Sequence, residues 1–213
     1  MSERHMVFDV ESVGLHGEGF AVAWVVIEKK EGRWERVREG WVVCPPGRAR
    51  GTPEGRKWVK ENAAFVNEIE GAMHLPAPNR SVNHTAGVRK AFWEVWTEEA
   101  VKGSLLWADV GWPVEARFLI ACVEDDRECP DDRGPANDLG KTGREWKGPY
   151  PLHEIETLRV SLGVPPEEDR FKDPRLADER LADELPIHHP LADARHSARL
   201  LGEALGMICE ARP

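Results

Sequence analysis

Hydrophobic and polar residues alternate from His5 to Glu11: Met6, Phe8 and Val10 fall on one side, and Val7, Asp9 and Glu11 on the other. A period of two predicts a β-strand. Phe20 to Ile27 is a strongly apolar second strand, Glu31-Gly32 marks a turn, and Trp34 to Cys44 reads as a third strand that Pro45-Pro46-Gly47 ends. Such short spacing predicts an antiparallel meander. A short helix is expected over Trp58–Val66 and loop at Pro76–Pro78. Thr85 to Lys102 carries Val88, Phe92, Val95 and Trp96 on one helical stripe, with Gly103 at its end. Ser104–Asp109 reads as a fourth strand, and Pro113 opens a helix to about Val123, since its missing N–H costs nothing there. Leu152–Leu162 and Pro190–Met207 are two further helices. The pattern predicts one α/β domain over 1–213: a meander of three strands, then parallel strands, in a mixed sheet flanked by helices. The charged, weakly periodic stretches 124–149 and 165–186 are expected to be irregular insertions.

Composition narrows the function. At 213 residues the chain is long enough for a sizeable core, and 41% hydrophobic against 31% charged residues marks a globular protein. No apolar run reaches the ~20 residues that span a bilayer, and the first residues lack a signal-peptide pattern, so a cytoplasmic location is expected. A formal charge of −9 argues against a broadly basic nucleic-acid binder. It leaves room for an enzyme that meets nucleic acid through metal ions, because acidic ligands themselves lower the net charge. Cys44, Cys122, Cys129 and Cys209 form no Cys-x-x-Cys pair and are expected to be free, buried thiols.

The chemistry gathers in three places. Asp9 and Glu11, two apart on a strand, project from one face about 7 Å apart. Like charges so placed repel, and a divalent cation with a taste for oxygen ligands is the natural neutraliser. Asp109 ends the fourth strand, and Glu115 stands in the first turn of the next helix, followed by Phe118 and Leu119 on its side. Asp193 shares the inward face of the last helix with Ser197, Leu200, Leu201 and Ala204, where an acid is costly unless it binds something. His188, just before that helix, suits a general base near neutral pH. Ala194 and Ala198 are small enough to let the helix lie close to the sheet.

Taken together, Asp-x-Glu-x-x-Gly-Leu on the first strand, an acid before Phe-Leu mid-chain and His-x-x-x-x-Asp on the last helix resembles the DEDDh, or DnaQ-like, 3′–5′ exonuclease family on the ribonuclease H-like fold. The resemblance implies metal ligation by Asp9, Glu11 and Asp193 and a general base at His188, with His189 one residue out of register. The second motif departs from the family pattern of His-Asn followed by Asp-x-x-Phe-Leu: Glu115 holds the place of the Asp, and Asp109 falls near the Asn. The fourth carboxylate is therefore either one, with a slight lean to Asp109. The resemblance further implies two Mg²⁺ or Mn²⁺ ions, single-stranded DNA or RNA 3′ ends as substrate, and hydrolysis to 5′-mononucleotides. Leu15 and His16 stand where the family wedges the terminal base, and Trp112, with Trp24 and Trp107, is a candidate stacking residue. Lys141, Arg144 and Lys147 are candidates for a phosphate-gripping lid. The alternative is a catalytically weak or silent member of the fold acting as a nucleic-acid-binding or interaction module. A homodimer stays open as the assembly.

Overall fold

The computed structural model describes residues 3–63, 79–128, 151–165, 185 and 188–210. The meander comprises β1 (Arg4–Ser12), β2 (Gly19–Lys30) and β3 (Arg33–Val43). β1 pairs antiparallel with β2, and β2 with β3. Glu31 and Gly32 both take positive φ, 49° and 83°, the conformation a tight hairpin needs. Helix α1 (Pro53–Asn62) begins earlier than the apolar pattern suggests: Thr52 caps it by accepting from the Gly55 amide at 3.1 Å, and Pro53 occupies its first turn. The part of the expected Trp58–Val66 helix beyond Ala63 and the Pro76–Pro78 loop lie outside the described residues.

A short strand, β4 (Asn79–Ser81), pairs parallel with β3. Helix α2 (Thr85–Val101) follows, capped by His84, whose Nδ1 accepts from the Gly87 amide. β5 (Leu105–Ala108) runs parallel to β1. Helix α3 (Val114–Glu128) carries five residues of the 124–149 stretch in helix rather than in irregular chain; the rest of that stretch and most of 165–186 lie outside the described residues, as do Lys141, Arg144 and Lys147. The expected helix over Leu152–Leu162 divides into β6 (His153–Glu154), parallel to β5, and α4 (Ile155–Ser161). Helix α5 (Pro190–Glu210) is the last.

The sheet order is β4-β3-β2-β1-β5-β6, the mixed α/β arrangement expected from the sequence. Phe8 meets Phe92 of α2, which in turn meets Phe118 of α3, so α2 and α3 cover one face. Alternation turns Asp9 and Glu11 to the other face. There α5 lies against β1, β2 and β3, and Ala192, Ala194 and Ala198, all buried, allow the approach. Opposite the two acids on β2 stand Ala21 and Ala23, again small and buried. Cys44 and Cys122 are buried thiols, and the Cys122 thiol donates to the Arg89 carbonyl at 3.9 Å.

Candidate metal centre

β1 and β5 part company at Phe8–Ala108, so Asp9, Val10 and Glu11 keep a sheet partner only on the β2 side. The opened edge is where a site can form, at the carboxyl ends of parallel strands. The N-terminus of α3 enters it. The carboxylate of Glu115 accepts from the main chain of Val10 and from its own amide. α5 closes the site from above, with Asp193 in its first turn and His188 just ahead of it at φ 56°. A residue with a Cβ rarely takes that left-handed conformation, and it costs about a kcal/mol or more.

The result is a cavity of about 960 Å³. Of the sequence-predicted residues it takes in Asp9, Glu11, Asp109, Glu115, His188 and Asp193, and at its mouth Leu15 and Trp112, each 66% exposed. His16 is exposed and lies outside the lining. Trp24 is buried in the core rather than offered as a platform, and Trp107 is buried with its indole N–H donating to His5 Nδ1 at 2.9 Å.

Within the cavity one oxygen of Glu11, one of Asp193 and a ring nitrogen of His188 all lie within 4.8 Å of one another. Asp9 and Asp109 line the same cavity outside that cluster. Burial first, then the charges of Asp193 and Glu115, pushes the Glu11 carboxyl well above the usual range. Burial likewise lifts Glu115, to about 7, against the lowering effect of its two main-chain donors. Acids driven together in this way are poised to exchange protons for a cation. The carboxylate oxygens form a hard donor set that fits Mg²⁺ or Mn²⁺, with the His188 imidazole beside it.

The neighbouring imidazole does different work. His189 is fully buried, stands edge-on to Trp41 with centroids 4.5 Å apart, and its Nδ1 accepts from the Leu191 amide at 3.2 Å. Burial lowers its pKa to about 4, so it is a neutral cap for α5. His188 alone of the pair lines the cavity.

Several lining residues stand outside the three sequence motifs. His196 sits three residues after Asp193 on α5 and is 2% exposed; Ser197 was grouped with Asp193 by the i+4 spacing, and the companion i+3 spacing points to His196. Thr52, Glu54 and Trp58 of the α1 region also line the cavity. Trp58 packs edge-on against His188 with centroids 5.2 Å apart, a contact that no local sequence signal announces.

No family model matches the chain, and no curated protein matches it in sequence. A solved structure is similar in fold: a moderately thermophilic Exonuclease I from Methylocaldum szegediense superposes with a TM-score of 0.53 over 99% of this chain, at 14% identity. The chain spans 41% of that protein's length. At this identity the likeness establishes a shared fold, the ribonuclease H-like α/β sheet.

Proposed function

We propose that this chain is a metal-dependent 3′–5′ exonuclease that releases 5′-mononucleotides from single-stranded DNA or RNA. The observation that carries the reading is the meeting of Glu11, Asp193 and His188 within 4.8 Å at the open end of the central strand. The likeness to an Exonuclease I fold supports it.

On this reading Glu11, Asp193, Asp9 and Glu115 hold two divalent cations. Glu115 is preferred to Asp109 as the fourth acid because its charge acts directly on Glu11. Bound there, the cations supply Lewis-acid stabilisation of the charge that builds on the phosphodiester. The imidazole of His188 takes the proton of the attacking water, held in place by the ring of Trp58. Leu15 and Trp112, exposed at the mouth, bracket the terminal base. Val10 and Glu115 tie β1 to α3, so the acids keep their spacing when the site fills.

The test is direct. DNA and RNA oligonucleotides labelled at the 5′ end are incubated with Mn²⁺ or Mg²⁺ and resolved by length. A ladder that shortens one nucleotide at a time, stops in chelator and is lost in Glu11→Gln and Asp193→Asn is the expected result. Products cut internally, or activity unchanged in both folded variants, defeat the proposal.

A further inference from the structure

A second groove, of about 520 Å³, opens at the carboxyl ends of β5 and β6, beyond Trp112. Its size suits a small ligand. Trp112 lines both this groove and the acidic cavity, so the two compartments share one wall. The groove also holds a stacked pair, Trp107 and His153, with ring centroids 4.6 Å apart and planes 27° from parallel. The bond from Trp107 to His5 fixes the indole. Burial holds His153 below the ordinary imidazole range, so its ring is neutral at neutral pH. Thr157 and Ser161 of α4 line the outer side. Glu154 accepts from the Gly111 amide and from the Thr157 hydroxyl, both at 2.8 Å, which ties the loop carrying Trp112 to α4. A Cβ on Gly111 would stand 3.1 Å from that carboxylate, so the loop approaches closely.

We propose that this groove binds the base of the nucleotide on the 5′ side of the scissile phosphodiester, stacked between Trp112 and His153, whose ring the buried Trp107 backs. The inference rests on the nuclease reading above and adds a second base site to it. Two features select a base over a phosphate. Aromatic faces stack on any base, and the Glu154 carboxylate would repel a phosphate but tolerates an uncharged ring. The shared wall gives the connection: a strand whose last base meets Trp112 from the acidic side can lay the preceding base on the opposite face of the indole.

The experiment compares two substrates. The p-nitrophenyl ester of thymidine 5′-monophosphate has one base; a short oligodeoxynucleotide has several. Ser161→Trp fills the groove from an exposed helix position, and His153→Ala removes half of its stacked pair. Each should leave kcat/KM for the ester within about twofold and lower kcat/KM for the oligonucleotide roughly tenfold, the loss of one stacked base. Circular dichroism melts establish that the variants fold, and His153→Ala carries the test if Ser161→Trp does not fold. An oligonucleotide-to-ester ratio that stays at the wild-type value in a folded variant overturns the second base site and leaves the nuclease reading intact. A wild-type chain inert on both substrates overturns the nuclease reading, and this site with it.

Discussion

Neutralising one acid of the cluster should make the metal-free protein more stable. The perturbation is Glu115→Gln, which keeps an acceptor for the Val10 amide and removes the charge. Burial raises the Glu115 pKa from 4.5 to about 7. A carboxyl whose folded-state pKa lies above its unfolded value opposes folding when ionised. The cost is absent below the unfolded value, grows as pH rises through the window between the two, and is complete above about 7. At about 1.4 kcal/mol per unit, the full effect is about 3 kcal/mol. Because Glu115 also raises Glu11, the substitution relieves a second acid as well.

The assay is urea unfolding in chelator of wild type and variant, at about pH 8 and about pH 4.5. The variant should be the more stable by about 2–3 kcal/mol at the higher pH and by under about 0.5 kcal/mol at the lower. Added Mn²⁺ should close or reverse the gap, because binding to the native state stabilises the wild type more. Exonuclease activity should fall although stability rises, the exchange expected of a functional site. A variant no more stable than wild type at the higher pH in chelator would refute the account of Glu115 as an acid whose ionised form burial penalises.

Two further outcomes follow from the packing. Glu99 is fully buried and accepts from Arg4, Arg38 and Lys102 at 2.8–2.9 Å. Although burial alone would raise its carboxyl, these bonds bring it from 4.5 down to about 2. Its contribution is therefore present above the unfolded pKa and lost as pH falls toward 2: about 3 kcal/mol at pH 7 and about 2 kcal/mol at pH 3.5. The gap in unfolding free energy between wild type and Glu99→Gln should narrow accordingly, and a gap that stays constant or widens toward acid counts against the cluster. Gly55 faces the Val13 carbonyl, where a Cβ would come within 2.5 Å of the oxygen. Ala is the better helix former by up to about 1 kcal/mol, yet the clash with backbone should win, and Gly55→Ala should destabilise by about 1–3 kcal/mol. Because α1 carries Trp58 into the cavity, oligonucleotide turnover should fall as well. A stabilised Gly55→Ala would mean that helix propensity, not the close approach, governs that position.

The meander, α2 and α5 were legible because each buries a regular pattern over many residues. β4 and β6 were not: three and two residues give no period to read, and pairing with an existing strand edge is what makes them strands. The start of α1 was written in Thr52-Pro53-Glu54, a cap followed by proline, but the apolar residues of the segment come later. That Glu11, Asp193 and His188 meet was legible because order and spacing along the chain survive folding as a pattern. The relative standing of Asp109 and Glu115 was not legible. It turns on the main chain of β1 being open past Phe8, a property of sheet register rather than of either residue's neighbours. Arg4 meets Glu99 across 95 residues and Arg38 meets it across 61, separations at which charge alone names no partner.

Those distant pairs bear on the site. Acids pressed together push their supporting elements apart, and β1 and α5 carry the acids that repel. Each is pinned outside the cavity by arginine. Arg195, two residues after Asp193, makes a two-pronged bond to Glu39 of β3 and holds α5 to the meander. Arg4, at the start of β1, bonds to the buried Glu99 of α2. Arg89 of α2 grips Asp125 of α3 with two bonds and reaches Glu18 at 3.3 Å, which fixes the turn bearing Leu15. A buried pair is a poor source of net stability but resists displacement strongly, because separating it strands a charge. The fold thus sets geometry with pairs that cannot slide and leaves the repulsion unrelieved in one place, the cavity, where a cation can relieve it.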